Sequence, residues 1–337
     1  MPPLRKNVSL AAYTTLRVGG VADYVVEVKT VEELRAALQF AEQTATPPVV
    51  LGSGSNVLID DAGYRGLVIL NQMTGITPVS ETDDEVVWRV AAGTLLDDLI
   101  RESVTQGLWG LENLSGIPGT VGATPIQNVG AYGVEVSDVI VRIHAMHLIT
   151  QEEKVFTNQD CAFSYRDSFL KTRAGRDLVI TAVDFSFSKI ARPKLAYKDL
   201  AELAAQPTSQ PAIRDHVIRI RSQKFPDWTD VGTAGSFFKN PVLSKAQFWS
   251  LQLKYADLPG HDTHSGQVKV PLGWILDHVC KLRGYCEGNV CLYEKQALVL
   301  VRNGDATADE IKKFAKKISE IVFEKTKIKI ETEVCYL

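Results

Sequence analysis

The segment that most limits how this chain can fold is GIPGTVGATPIQNVGAYG at residues 116–133, in which five of the eighteen residues are glycine. Glycine loses more conformational freedom on folding than any other residue, and an ordinary turn needs only one or two. The segment also lacks a helix or strand pattern. This much bare backbone indicates a surface for a flat, extended ligand. Gln127 and Asn128 can hydrogen-bond to the edge of a heterocycle, and Tyr132 can stack on it or donate to it.

A second glycine-rich turn, GSGSN at residues 52–56, follows an apolar strand pattern. It fails as a dinucleotide fingerprint, because Val57 stands where GxGxxG needs its third glycine and the next segment has a strand pattern. The chain also contains no GxxxxGK phosphate loop. Successive N–H groups of such a turn can hold a phosphate or pyrophosphate. For this motif alone, a plain Gly/Ser hairpin turn is the simpler interpretation.

Strand and helix patterns alternate along the whole chain and predict an α+β protein. Thr30 begins a helix with Glu33 completing a capping box, and the strands on either side of it are expected to pair in parallel. Thr94 is expected to cap a second helix. The predicted strands are 24–29, 49–51, 57–59, 67–70, 86–92, 139–149, 178–187, 236–240, 297–302 and 328–336, and the remaining helices are 213–224, 245–256, 272–282 and 308–325.

Composition excludes several classes of protein. With 40 acidic and 37 basic side chains, the net charge of −3 gives no reason to expect nucleic acid or a membrane surface as a partner. The N-terminal segment lacks the apolar run of a signal peptide, and no segment approaches the ~18 apolar residues of a membrane span. We therefore expect a cytoplasmic globular protein, and the 337 residues predict about two domains.

The cysteine and histidine residues predict no metal site. The five cysteines form no CxxC pair, and the spacing of Cys280, Cys286 and Cys291 fits no common zinc pattern. An odd number of cysteines in a cytoplasmic protein predicts free, reduced thiols. His144 and His147 point to opposite faces of a strand, while His261 and His264 fall in a loop.

Seven blocks of sequence resemble those of the UDP-N-acetylenolpyruvoylglucosamine reductase (MurB) family, type I, and they occur in the family's order over almost the whole chain. The glycine segment at 116–133 resembles its flavin loop. The other blocks are TTLRVGGVAD at 14–23, LGSGSNVLI at 51–59, SYRDS at 164–168, AGSFFKNP at 234–241, and the pair QALVL at 296–300 and IETEV at 330–334.

The resemblance implies a two-lobed FAD-binding fold of the vanillyl-alcohol-oxidase/PCMH type with a third, substrate-binding α+β lobe. The expected lobes are 1–72 (joined by a strand at about 328–337), 73–222 and 223–327. Ser55 and Asn56 stand where some relatives of that fold tether flavin through histidine, so we expect non-covalent FAD. The implied FAD-binding residues are Leu51, Gly52, Ser53, Gly54, Ser55, Asn56, Gly116, Ile117, Pro118, Gly119, Gly122, Ala123, Gln127, Asn128, Ala131, Tyr132, Gly133 and Arg221.

The family reduces the enolpyruvyl ether of UDP-N-acetylglucosamine enolpyruvate to the lactyl ether of UDP-N-acetylmuramate, with NADPH as co-substrate. By resemblance, flavin N5 delivers hydride and Ser236 donates the proton, while Arg166 and Glu333 act on the substrate carboxylate. Taken singly, Arg166 beside Asp167 could equally form a surface ion pair, and Ser236 and Glu333 could be ordinary strand residues. The resemblance further implies substrate contacts by Tyr165, Tyr197, Lys224, Asn240 and Gln296.

Two other functions are compatible with the sequence. A flavin-dependent oxidase of a sugar or alcohol would share the fold, and a catalytically silent nucleotide-binding protein would share the glycine turns. This sequence also departs from the family where Cys335 replaces a common Arg and Thr332 a common Pro, and the chain stops four residues after Glu333. We expect a monomeric enzyme of peptidoglycan precursor synthesis, with the links to cell shape, cell cycle and division that this role implies.

Overall fold

The computed structural model describes residues 1–205, 208–263 and 265–337, so His264 lies outside the described residues. The chain divides into two compact units. Unit 1 comprises Met1–Val8, Ala22–Gly54 and Tyr64–Arg221, and unit 2 comprises Ser9–Val21, Ser55–Gly63 and Ser222–Leu337. The three-lobe boundaries expected from the sequence stay a prediction.

The strands in chain order are β1 (Arg5–Ser9), β2 (Val21–Val28), β3 (Pro48–Leu51), β4 (Val57–Leu58), β5 (Tyr64–Asn71), β6 (Ile76–Glu81), β7 (Glu85–Ala91), β8 (Gly130–Ala131), β9 (Val134–Glu135), β10 (Ile140–His147), β11 (Glu153–Thr157), β12 (Leu178–Ser188), β13 (Gly232–Ser236), β14 (Val242–Leu243), β15 (His261–Asp262), β16 (Val268–Lys269), β17 (Cys286–Glu287), β18 (Val290–Tyr293), β19 (Gln296–Arg302) and β20 (Cys335–Tyr336).

The α-helices are α1 (Val31–Gln43), α2 (Leu96–Thr105), α3 (Arg173–Arg176), α4 (Gln210–Lys224), α5 (Lys245–Gln252), α6 (Leu272–Trp274) and α7 (Ala308–Thr326). A π-helical segment, Ile275–Val279, continues α6. Each α-helix of the described residues is too short or too polar to cross a lipid bilayer.

The first sheet of unit 1 has the strand order β1-β2-β5-β3 and packs against α1. The Thr30 hydroxyl accepts from the backbone N–H of Glu33, so the predicted start of α1 is confirmed. The predicted capping box is wrong in its second half, because the Glu33 carboxylate accepts from the N–H of Lys29 and not from that of Thr30. The expected pairing of β2 with β3 is wrong, although both strands run parallel to β5. The strand at 64–71 inserts between them, which local pattern cannot reveal because it depends on a later segment of the chain.

The second sheet of unit 1 is antiparallel in the order β11-β10-β12-β7-β6, and its core includes Phe185 and Phe187. The predicted cap of α2 is wrong: Leu95 is the N-cap, and the Thr94 hydroxyl instead accepts from the N–H of Gly75. Between α2 and β10 the glycine-rich segment at 116–133 forms only one turn of 3₁₀-helix, Val121–Ala123, and the two-residue strand β8. This agrees with its lack of pattern.

Unit 2 is built on the antiparallel sheet β13-β19-β18-β17, with α7 contributing Ile311, Phe314 and Ile318 to its core. The predicted strand at 328–336 is wrong. Thr332 forms an antiparallel bridge with Phe238, whereas β20 pairs in parallel with β4. The segment changes partner and direction within a few residues, so it cannot continue as one strand.

The expectation of five free thiols is also wrong. Cys286 and Cys291 lie opposite each other in the β17–β18 hairpin and form a disulfide, whereas Cys161, Cys280 and Cys335 are free. The four residues between Cys286 and Cys291 are enough for a short hairpin, in which cross-strand neighbours come close enough to bond.

Candidate active site

The first glycine turn begins where β3 ends at the buried Leu51. Ligands of open α/β sheets bind beyond the carboxyl ends of parallel strands, which is where Gly52 and Gly54 lie. Gly54 has a φ of +65°, the left-handed conformation from which an anion-binding nest is built. A Cβ on Gly52 would lie 2.5 Å from the Thr120 hydroxyl oxygen, so the turn contacts the second glycine segment too closely for a side chain.

Both backbone polar groups of Gly116 are held by side chains of neighbouring helices. Its N–H donates to Asp97 of α2 (2.6 Å), and its carbonyl accepts from Arg221 Nε of α4 (3.1 Å). Arg214, two turns before Arg221, donates two hydrogen bonds of 2.7 Å to Asp97. Sequence reasoning missed Asp97 and Arg214, because nothing in the local pattern connects two helices more than 100 residues apart.

Arg221 places a buried positive charge beside the glycine segment. Burial lowers the pKa of this guanidinium, while Tyr132 and Asp97 act in the opposite direction. Burial raises the pKa of the Tyr132 hydroxyl, because it disfavours the charged phenolate. The Tyr132 ring packs edge-on against the Tyr197 ring, with 5.5 Å between the ring centroids. A buried guanidinium such as that of Arg221 favours binding of an anionic ligand, because the anion would compensate its charge.

Within unit 1, the glycine turns and Arg221 fit FAD. The left-handed backbone at Gly54 suits a phosphate, Arg221 supplies a buried positive charge, and the segment at 116–133 offers bare backbone to a flat ring. At Gly133, with a φ of +82°, an added Cβ would meet no atom of the described residues within 4 Å. The segment therefore remains open on that side.

Arg166 lies in a tight turn that we call the Arg166 hairpin, residues 164–168. The hairpin is closed by hydrogen bonds between Ser164 and Asp167 in both directions. Arg166 itself has a φ of +55°, and its Nη2 donates to the carbonyl of Gly130 (2.6 Å). Its own carbonyl accepts from Lys171 Nζ (3.1 Å), and the Tyr165 ring centroid lies 5.2 Å from the guanidinium carbon. The guanidinium is thus attached to the glycine segment.

Ser236 is the last residue of β13 and follows a β-bulge. The register with β19 shifts between Thr233 and Ser236, and Gly235 adopts a φ of +71°. Bulges bend a strand and redirect a side chain, often beside an active site. The predicted strand at 236–240 is therefore wrong beyond its first residue, and Phe237 and Phe238 are both fully buried, which strict alternation would not allow.

Glu333 lies on the segment next to Ser236. Its N–H donates to the carbonyl of Phe237 (2.9 Å), and its carbonyl accepts from Asn56 Nδ2 (3.3 Å). The Asn56 carbonyl accepts in turn from the N–H of Cys335 (3.1 Å). The unusual residues Thr332 and Cys335 thus take part in this pairing through their backbones. Unit 2 brings the Ser236 and Glu333 segments together.

The predicted substrate-binding residues occupy several elements. Asn240 Oδ1 accepts from the N–H of Leu272 at the start of α6 (2.8 Å), and Gln296 begins β19 beside Gly273. Lys224 is the last residue of α4. Tyr165 belongs to the Arg166 hairpin, and Tyr197 is 40% exposed. Their contacts with substrate stay predictions.

Among the remaining predicted cofactor residues, Asn128 differs from the rest because it is fully buried. Its amide is engaged by Glu135, Ser164 and Ser137 of the protein itself. Flavin contacts by the others stay predictions; these are Ser53, Ser55, Ile117, Pro118, Gly119, Gly122, Ala123, Gln127 and Ala131.

Known proteins match the chain over its whole length. A family model described as an FAD binding domain matches residues 22–157, and a model of the C-terminal domain of UDP-N-acetylenolpyruvoylglucosamine reductase matches residues 226–337. The reductase of Porphyromonas gingivalis is 41% identical over 291 residues, 85% of each chain. That of Neisseria gonorrhoeae is 36% identical over 342 residues, covering 100% of this chain and 98% of the relative.

A solved structure agrees with these matches. The crystal structure of UDP-N-acetylenolpyruvylglucosamine reductase from Thermus caldophilus superposes with a TM-score of 0.69 at 25% identity, covering 100% of this chain and 99% of that one. The expected α+β class and FAD-binding fold of the PCMH type are confirmed. This chain is an FAD-binding oxidoreductase that belongs to the UDP-N-acetylenolpyruvoylglucosamine reductase family.

Proposed function

We propose that this protein reduces UDP-N-acetylglucosamine enolpyruvate to UDP-N-acetylmuramate with NADPH as the reductant. Family membership over the full chain supports the reaction. One observation supports the assignment of this reaction to Ser236 and Glu333. The segments that contain them are paired by a 2.9 Å hydrogen bond from the Glu333 N–H to the Phe237 carbonyl. This pairing keeps a proton donor and a carboxyl group in one part of unit 2.

The two glycine turns and Arg221 would hold FAD, which when bound accepts a hydride from NADPH and supplies one to the β-carbon of the enolpyruvyl group. Within unit 1, the nest at Gly54 suits the pyrophosphate and the bare segment at 116–133 suits the ring system. Ser55 and Asn56 offer no histidine for a covalent link, so we propose non-covalent binding.

Arg166 and Glu333 make the substrate a better hydride acceptor. An enol ether is electron-rich, so charge must be drawn into its carboxylate as the hydride arrives. The guanidinium of Arg166 carries a fixed charge and a planar pair of donors that match a carboxylate. Its position is held by the closed hairpin and the hydrogen bond to Gly130. Glu333 assists as a second group at the same carboxylate.

Ser236 completes the reduction by donating its hydroxyl proton to the α-carbon. A serine hydroxyl is a weak acid, but an enolate carbon is basic enough to accept its proton. The bulge at Gly235 gives this side chain an orientation that a regular strand would not. Tyr165, Tyr197, Lys224, Asn240 and Gln296 recognise the UDP-sugar. Of these, Lys224, Asn240 and Gln296 belong to a substrate-binding lobe at 223–327.

We place the enzyme in the cytoplasm as a monomer that acts in peptidoglycan precursor synthesis. Cell shape, the cell cycle and division would then depend on its product. No nucleic acid or membrane partner is needed for the reaction.

The test is oxidation of NADPH by the purified holoenzyme with UDP-N-acetylglucosamine enolpyruvate, followed at 340 nm, with the product identified by mass spectrometry. We expect stoichiometric UDP-N-acetylmuramate and no oxidation of simple sugars or alcohols. Turnover with air and an alcohol, but not with the enolpyruvyl sugar, would instead favour an oxidase.

A further inference from the structure

We propose that Asn128 is a positioning residue for Arg166 and acts through the protein rather than through a contact with the flavin. This inference rests on the proposed function, in which Arg166 binds the substrate carboxylate. Asn128 lies in the glycine-rich segment and is fully buried. It connects that segment to the Arg166 hairpin through the carbonyl of Ser164.

The amide of Asn128 is satisfied by three protein groups. Its Nδ2 donates to Glu135 Oε2 (2.7 Å) and to the Ser164 carbonyl (3.1 Å). Its Oδ1 accepts from the N–H of Ser137 (3.2 Å). Both donor hydrogens and the amide oxygen therefore have partners, and the bond to the Glu135 carboxylate is of the stronger, charge-assisted kind. Little hydrogen-bonding capacity is left for a heterocycle.

The backbone at Asn128 also explains why this residue type stands there. Its φ of +46° lies in the left-handed region, which asparagine tolerates better than other residues with a Cβ. The left-handed turn directs the amide towards Ser164 and Glu135 while the chain continues to Gly130. A single residue thus supplies both the backbone turn and the cross-link.

Two further hydrogen bonds join the same two segments. The Ser168 hydroxyl donates to the carbonyl of Ile126 (2.7 Å), and Arg166 Nη2 donates to the carbonyl of Gly130 (2.6 Å). The hairpin is therefore attached to the glycine segment on both sides of Arg166. In sequence, Asn128 lies between the other two attachment points, Ile126 and Gly130. Loss of the Asn128 amide would remove the hydrogen bond to Ser164 and allow that side of the hairpin to move.

The consequence is a selective defect. Arg166 acts on the enolpyruvyl carboxylate, so a misplaced guanidinium would slow transfer to the sugar and spare reduction of bound FAD by NADPH. A shift of about 1 Å at a catalytic group can cost on the order of 100-fold in rate. A purely structural role would instead lower stability and FAD content and slow both steps together.

The test variant is Asn128→Gly, since glycine keeps the left-handed backbone and removes the amide. Stopped-flow absorbance of the FAD-loaded variant separates reduction by NADPH from reoxidation by UDP-N-acetylglucosamine enolpyruvate. We expect reoxidation to slow by about 10- to 100-fold, with reduction within about twofold of the native rate. The matched control is Asn71→Ala, which removes a buried amide that donates to the Ile180 carbonyl elsewhere in unit 1. The control should show no such selectivity.

A double-mutant cycle with Arg166→Lys tests whether Asn128 acts through Arg166. If it does, adding Asn128→Gly to Arg166→Lys should slow reoxidation by no more than about threefold further. If Asn128→Gly does not fold as a holoenzyme, Glu135→Ala removes the main acceptor of the amide and should show the same selectivity.

Equal slowing of both steps, unchanged reoxidation, or fully additive effects in the cycle would overturn the proposal. Failure of the native enzyme to react with the enolpyruvyl sugar would instead count against the proposed function, so the two failures are distinguishable.

Discussion

Arg166 carries a fixed positive charge and has a backbone conformation that is uncommon for a residue with a large side chain. Its φ of +55° costs conformational energy, which the surrounding hydrogen bonds from Ser164, Asp167 and Lys171 offset. Strained residues held by their neighbours are frequent at functional sites. The sequence offered only the residue type here, because left-handed backbone cannot be inferred for an arginine from local pattern.

Arg166→Lys should not be a conservative change. Lysine keeps the charge but loses the planar fork that can meet a carboxylate with two hydrogen bonds. We expect kcat/KM for the UDP-sugar to fall by roughly 10²-fold while FAD content is unchanged. Steady-state kinetics and the flavin absorbance at 450 nm measure the two quantities. Near-normal kcat/KM would remove Arg166 from the catalytic residues, and Arg142→Lys on the exposed side of β10 is the matched control.

The turn after β3 can pack against the second glycine segment because Gly52 has no side chain. A Cβ there would lie 2.5 Å from the Thr120 hydroxyl, so the Thr120 side chain or one of the two glycine segments would have to shift. The turn is thus specified by packing against another segment as well as by its own conformation.

Gly52→Ala should therefore weaken FAD binding without unfolding the protein. Overpacking costs about 1–3 kcal/mol, which corresponds to a Kd about 5- to 150-fold higher. Titration of the apoprotein with FAD, followed by flavin fluorescence, gives the Kd. The double variant Gly52→Ala/Thr120→Ala removes the clashing hydroxyl and should recover most of the affinity. An unchanged Kd in the single variant would argue that this turn does not contact the cofactor.

The second sheet of unit 1 carries a buried carboxylate. Asp184 is 1% exposed, and it accepts from Arg89 at 2.8 and 3.0 Å and contacts His144 Nε2 at 3.0 Å. Burial alone would raise the pKa of Asp184, but the hydrogen bonds and charges of Arg89 and His144 outweigh it and hold the pKa below its usual value. The carboxylate therefore stabilises the fold above about pH 4 and loses this effect as the pH falls further.

Asp184→Asn should lower the free energy of unfolding at neutral pH and flatten its decline in acid. Urea unfolding of the full chain at several pH values between about 3 and 7 measures both effects. Asp83→Asn, at an exposed turn, is the control and should follow the native profile. Parallel pH profiles for Asp184→Asn and the native protein would show that the pair contributes no pH-dependent stability.

The accuracy of sequence-based prediction differs from element to element for physical reasons. The start of α1 is encoded in neighbouring residues, since Thr30 and Glu33 form the cap themselves. The segment at 328–336 takes its partners from Phe238 and from β4, both remote in sequence, so its apolar pattern was misleading. The bulge before Ser236 likewise depends on the register with β19.

At the scale of the whole molecule, motif resemblance predicted the family and the FAD-binding fold, which local patterns alone could not. The resemblance also predicted Arg166, Ser236 and Glu333 as catalytic residues, but it did not predict which residues position their side chains. Asp97, Arg214 and the bonds of Asn128 emerge only from tertiary contacts. A side chain that positions another leaves no local signal in a single sequence.

The purified protein should be yellow and should release its flavin on denaturation, because Ser55 and Asn56 provide no covalent link. Precipitation with acid followed by filtration separates the two components. We expect FAD in the filtrate and a colourless pellet. Flavin that stays with the denatured chain would contradict non-covalent binding.

The role of Ser236 as proton donor can be tested with the Ser236→Ala variant in stopped-flow absorbance, with each half-reaction followed separately. Reduction of bound FAD by NADPH should be nearly native, whereas reoxidation by UDP-N-acetylglucosamine enolpyruvate should slow by about 10²–10⁴-fold, as for loss of a general acid. That range corresponds to roughly 3–5 kcal/mol of transition-state stabilisation. Ser236→Cys should keep more activity, since a thiol can still donate a proton. A slowed NADPH step with a native sugar step, or no change in either, would contradict the assignment of Ser236 as the proton donor.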